Sequence, residues 1–458
     1  MKKVLLGLAL VLSLTACIEQ VPNNAIFSGK IENYGTKEAT LIKADRSFRK
    51  KIAIDSNGFF CDTIKANPGL YRFIAGNNST RIYLGNGSNI QLTADANDFN
   101  SSLTISGTGA ETTQYIVMKA KMLTDFKGPG MDFYKLEEPE FKQKAKTIYA
   151  TLTAQIDTLH GIDPDYKRLE KRNLNYSYLL ELSRYAGGYH RHWAKKRGYR
   201  ASEGFLAELQ EIDLNNATDF HFSDAYVDLV NRHYNEQIKQ LIRKDSIDYG
   251  LVKVTIYATV PNPIIRNELI FASAENDIYN TGEFEAFYQI FMNASTDEAH
   301  NAKITAIYKQ LTTVNPGKPS PQFTNYETHA GGTLSLDDLK GKYTYIDVWA
   351  TWCSPCVAEL PYLKQLEQEY RGKNIHFLSI SVDAAKDHDK WKEMVVDKGM
   401  QGIQVMADKS FTSDFVQAYF IRSIPRFILI DPEGVIVTQH APKPSDPGLV
   451  DLFNSLNI

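Results

Sequence analysis

Cys353 and Cys356 stand as C-x-x-C in the string WATWCSPCVAELP. A spacing of three is one helical turn, so on a helix the two thiols share a face and their sulfurs can bond. The preceding residues 343–349 (YTYIDVW) are apolar enough for a buried central strand. Ala350, Thr351 and Trp352 then make a turn. Ser354 and Pro355 can open a helix, because the first turn has no use for the N–H that proline lacks. At a helix start the leading N–H groups are unpartnered and the dipole is positive. Both effects favour a thiolate at Cys353 and lower its pKa below the ~8.5 of a free cysteine. The expected chemistry is thiol–disulfide exchange, with Cys353 as nucleophile and Cys356 as the resolving thiol. The other use of C-x-x-C, half of a zinc site, needs two more ligands. Only Cys17 and Cys61 remain, both far upstream. His190 and His192 lie in YHRHW beside Lys195, Lys196 and Arg197, with no further ligand nearby, and are expected on a solvated or partner-facing surface. Neither a metal nor a cofactor is expected.

These residues need elements to hold them. The segment NPGKPSP (315–321) carries three prolines and one glycine in seven residues, which disfavours both helix and central strand. It reads as a linker, and an α/β pattern follows it to the C-terminus. Upstream, 26–110 shows short alternating runs at 39–42, 51–54, 71–75, 81–84, 89–93 and 103–105, separated by turn signals such as SNG, NPG and GNG. Residues 111–314 change to helical periods, at 141–159, 169–185, 205–212, 224–242 and 284–292. The expected architecture is multidomain: an N-terminal antiparallel β-sandwich-like domain (26–110), a central α-helical domain (111–314) and a C-terminal α/β domain (315–458). A length of 458 residues accommodates all three. A net charge of -3 argues against a nucleic-acid binder, which shows a basic face.

The chain starts MKKVLLGLALVLSLTAC. Two lysines and an apolar run, too short to span a bilayer, read as a secretory signal. Small residues before Cys17 resemble the lipobox of bacterial lipoproteins. That resemblance implies cleavage after residue 16, lipid on Cys17 and a tether over 17–25. An ordinary secretory signal is the other reading, and both place the protein outside the cytoplasm, where disulfide chemistry is possible. Ile18 is compatible with outer-membrane sorting, so a periplasm-facing, lipid-anchored protein of the cell envelope is expected. Cys61, in GFFCDTI, is expected to be a small buried apolar residue.

The C-x-x-C region resembles the thioredoxin active-site signature. With Glu359, Leu360 and Pro361 following Cys356 it looks like the TlpA/ResA-like branch of envelope thiol–disulfide oxidoreductases, over roughly 316–458. The resemblance implies a thioredoxin fold and a cis-proline at Pro425 in IRSIP, whose neighbour Ile424 offers its backbone to an extended client. It implies proton transfer by Asp347 and Glu359, six residues either side of Cys353, and shielding of the sulfurs by Trp352, with Trp349 in the core. It favours reduction of client protein disulfides, with electrons from a membrane thiol donor. A disulfide oxidase or isomerase remains the alternative. So does a docking lipoprotein whose redox domain serves only bound partners. A peroxidase fits less well, since P-x-x-x-T/S-x-x-C is not the setting of Cys353.

Overall fold

The computed structural model describes residues 24–65, 67–242 and 248–458. The signal peptide expected over 1–16, Cys17 and most of the tether lie outside them. The chain divides into two compact units, one ending at His233 and one beginning at Tyr234. The helical run expected over 111–314 is therefore shared between them.

The first unit opens with strands β1 (Ala25–Glu32), β2 (Glu38–Lys43), β3 (Arg49–Ala53), β4 (Phe59–Ile64), β5 (Gly69–Ala75), β6 (Asn78–Leu84), β7 (Asn89–Asp95) and β8 (Thr104–Thr108). They form two four-stranded sheets, ordered β4-β1-β7-β8 and β3-β2-β5-β6. Alternation directs Phe27, Leu41, Phe60, Phe73, Ile82 and Ile90 into one shared core. Phe27 meets Phe60 and Phe73 at ring-centroid distances of 5.1 Å. One pairing departs from the antiparallel expectation, since β1 and β7 run parallel. A parallel pair needs a long crossover, and β2 to β6 supply it. Cys61 is a second correction. Phe60 takes the inward position of β4, so Cys61 faces out.

Helix α1 (Phe99–Ser102) lies between β7 and β8, and helices α2 (Glu111–Lys127), α3 (Glu138–Thr158), α4 (Pro164–Arg184), α5 (His190–Trp193), α6 (Ala217–Phe222) and α7 (Asp224–Ile242) follow the strands. Start signals are visible locally: Asp163 caps α4 by accepting from Tyr166 N, with Pro164 in the first turn. The helix expected over 205–212 is only a 3-10 turn, Ala207–Glu211. His190 is not solvated as expected. It is fully buried, with Nδ1 2.9 Å from Tyr134 O and its ring on Tyr185. His192 stays exposed.

The second unit holds helices α8 (Tyr249–Ala258), α9 (Pro263–Asp277), α10 (Phe284–Ala294) and α11 (Glu298–Leu311), then an α/β layer. Its strands are β9 (Tyr326–Thr328), β10 (Thr333–Leu334), β11 (Tyr343–Trp349), β12 (Ile375–Ser381), β13 (Ile403–Met406), β14 (Arg426–Ile430) and β15 (Ile436–Thr438). Their order is β10-β9-β13-β12-β11-β14-β15. β11 pairs parallel with β12 and antiparallel with β14. Helices α12 (Ser354–Glu369), α13 (His388–Asp397), α14 (Asp414–Ala418) and α15 (Gly448–Ser455) complete it. β11 is buried on both faces: Ile346 and Val348 join a core with Trp391 and Phe415, Tyr345 one with Leu363, Leu366 and Phe453. The proline-rich segment is no free linker. Gly317 N donates to Ile436 O, Ile436 N to Lys318 O and Ser320 N to Gly434 O, so it lies along β15.

Candidate redox site

β11 ends at the centre of the sheet, and the chain turns there into α12. Cys353 N donates to Ala350 O at 3.0 Å, closing the turn. Cys353 is the N-cap of α12, with extended φ/ψ of -84° and 91°, and Pro355 sits in the first turn. Cys356 N donates to Cys353 Sγ at 3.2 Å. The sulfur thus occupies the place where a capping oxygen normally accepts the orphan N–H. Here the two cysteines are joined as a disulfide, with Cα atoms 5.2 Å apart. Once reduced, the same N–H and the helix dipole would stabilise negative charge on Cys353.

A residue given no role by sequence reasoning fixes this turn. Asp383 follows β12 and is buried. Its carboxylate accepts from Thr351 N at 3.0 Å, Thr351 Oγ1 at 2.8 Å and Ser381 Oγ at 2.8 Å. Val382 N donates to Trp349 O at 2.8 Å beside it. The active-site turn is therefore tied to the neighbouring strand by side chain and backbone together.

Asp347 is 4% exposed. Alternation with Tyr345 places it on the face of β11 that packs α12 and α15. Burial, then the nearby charges of Glu367 and Glu359, push its pKa up to about 8. It can hold or release a proton near neutral pH. Glu367, also missed from the sequence, is itself pushed up to about 7 by burial. Glu359 stands elsewhere in the network. Its oxygens accept from Ser445 N and Ser445 Oγ, both at 2.9 Å, and Lys443 Nζ lies at 3.3 Å. It clamps α12 to the segment before α15.

The Ile424–Pro425 peptide is cis. Ile424 packs against the cluster that contains Cys353, Cys356 and Trp349. Trp349 is fully buried. Trp352, expected to shield the sulfurs, is 54% exposed, with its ring centroid 6.3 Å from that of Phe411. Both cysteines are buried, Cys353 being 3% exposed and Cys356 2%. Cys17 lies outside the described residues.

Residues 315–452 match the Redoxin family. Over 123 residues the chain is 32% identical to thiol-disulfide oxidoreductase ResA of Bacillus thuringiensis (strain Al Hakam), covering 27% of this chain and 68% of that protein. The chain belongs to the ResA-like thiol–disulfide oxidoreductases. ResA of Bacillus subtilis (strain 168) is 27% identical over 134 residues, 29% of this chain and 70% of its own. A solution structure of a putative thiol-disulfide oxidoreductase from Bacteroides vulgatus is 48% identical and covers 32% of this chain and 93% of that one, with a TM-score of 0.28. The matched stretch contains Cys353, Cys356 and the cis Ile424–Pro425 peptide, in a thioredoxin-like fold. The protein is accordingly a redox enzyme acting on disulfides.

Proposed function

We propose that the protein reduces disulfides of client proteins in the cell envelope, facing the periplasm from a lipid anchor at Cys17 in the outer membrane. The observation that carries the redox step is Cys353 Sγ at the N-cap of α12, receiving the Cys356 N–H. In the first step the Cys353 thiolate attacks one client sulfur. A mixed disulfide forms, the client S–S bond breaks, and the other client sulfur leaves as a thiolate. Cys356 then loses its proton, with Asp347 as the candidate acceptor, and attacks Cys353 Sγ. The client leaves with both thiols reduced, and the Cys353–Cys356 disulfide remains. Two electrons have passed to the client, and a membrane dithiol donor would restore them by the reverse exchange. Ile424, beside cis-Pro425, is the candidate backbone partner for an extended client segment. Trp352 and Glu359 complete the proposed site, Trp352 as an exposed client-facing ring and Glu359 as an aid to proton transfer through its charge on Asp347.

Equilibration with glutathione tests the direction. A potential well below ~-200 mV supports a reductase, and one near or above ~-180 mV makes the protein an oxidase or isomerase. Cys356→Ala should accumulate mixed disulfides through Cys353, and identifying the trapped proteins names the clients. Cys17→Ser should move the protein from the membrane to the soluble fraction; unchanged fractionation would remove the anchor from the proposal.

A further inference from the structure

The corner between α9 and α10 touches the cis-proline loop. Arg426, the residue after Pro425, is 6% exposed. Its guanidinium donates to Tyr279 O, reaches Asn280 Oδ1 at 3.4 Å, and has His440 Nε2 at 2.8 Å. No carboxylate pairs with it among the described residues, and burial lowers its pKa to about 10. The cation is thus used to hold a backbone carbonyl of the corner. Ser423 Oγ donates to Asn280 Oδ1 at 2.6 Å. The corner is also braced from behind. Gly282 N donates to Asp248 Oδ2 at 3.0 Å, and Asp248 caps α8.

These contacts set the place of Arg422. Its guanidinium lies 3.7 Å from the centroid of the buried Tyr279 ring, a cation–π seat. It lines a cleft of about 430 Å³ with Glu275, Asn276, Tyr279, Lys303 and Gln310. In that cleft Lys303 is paired with Glu275. Arg422 has no ion pair among the described residues, so the cleft keeps one net positive charge. Arg422 is two residues before Ile424, no more than ~7 Å along the backbone. A client segment laid on Ile424 would therefore bring its next one or two side chains to Arg422.

We propose that Arg422, seated on Tyr279 in the lining of this cleft, selects clients by charge, taking polypeptide disulfides with an acidic side chain beside the reacting cysteine. Arg426 and Tyr279 are positioning residues that fix the cleft against the cis-proline loop. The inference rests on the thiol–disulfide exchange assigned to Cys353 and Cys356.

The test uses the full chain, reduced, against two otherwise identical peptide disulfides with Glu or Lys flanking one cysteine, and against uncharged hydroxyethyl disulfide. The Glu peptide should be reduced with a kcat/KM about tenfold above the Lys peptide, the difference lying mainly in KM and shrinking at high salt. Arg422→Gln should bring the two peptides within about twofold, and Arg422→Glu should reverse the order. Asn280→Ala, outside the α/β layer, should narrow the ratio as well. Equal rates for the two peptides with wild-type protein, or an undiminished ratio in Arg422→Gln, overturns the charge selection. Failure to turn over hydroxyethyl disulfide would instead overturn the exchange chemistry itself, so the two failures are distinguishable.

Discussion

Asp347 is a carboxyl placed where its charge is disfavoured, and this has a measurable cost. In the unfolded chain it releases its proton near pH ~3.9, whereas burial in the folded protein raises its pKa to about 8. Between those values the native state holds a proton that the unfolded chain has lost, so stability falls as pH rises through the window. Asp347→Asn removes the penalty. Its gain should be absent at pH ~4 and grow to a few kcal/mol at pH ~8, bounded by about 6 kcal/mol from the size of the shift. Urea midpoints across that range check it, and an equal gain at every pH would refute the assignment. The same variant should slow resolution of the mixed disulfide if Asp347 takes the Cys356 proton. Asp383 makes the opposite case. Its three acceptor contacts hold the turn before Cys353, so Asp383→Ala strands a buried N–H and should cost about 1–3 kcal/mol. A melting temperature equal to wild type would deny it the clamp.

The helix is the unit that turns a cysteine into a nucleophile. With Cys353 at the N-cap of α12 and Cys356 inside its first turn, the two thiols should titrate apart. Reduced Cys353 should be alkylated with an apparent pKa below ~8.5 and Cys356 should lag behind it. Identical profiles would show that the dipole and the capping N–H do not act on the sulfur. Local sequence announced this much: the apolar run, the turn, C-x-P-C and the proline-punctuated ends are each set by neighbours a few residues away. What it did not announce depends on partners distant along the chain. Asp383 meets Thr351 across two adjacent strands, and Arg426 finds Tyr279 from a helical corner far upstream. No periodicity or spacing records such contacts. Alternation gave β4 its strand but not its phase, which Phe60 decided by taking the core and turning Cys61 outward. The parallel β1–β7 pair was hidden for a similar reason, because pairing direction follows the crossover and not either strand alone.

At the scale of the molecule, the redox layer is not a module that starts at its proline-rich entrance. Helices α8 to α11 belong to the same compact unit, and the Tyr279 carbonyl meets a buried guanidinium of β14. A fragment of residues 248–458 should therefore be more stable than one of 315–458, by roughly 2 kcal/mol if only the hydrogen bonds of Arg426 are lost. Denaturant titration of the two fragments decides it, and equal midpoints would make the corner a passive neighbour. The lie of residues 317–320 along β15 has a further consequence. That margin of the sheet already has its backbone groups engaged, while the far margin is the two-residue β10. Neither rim offers a long open ladder on which another chain could template itself. A thiol–disulfide oxidoreductase must meet disulfide-bearing clients, and this layer meets them through its loops rather than along a long bare strand edge.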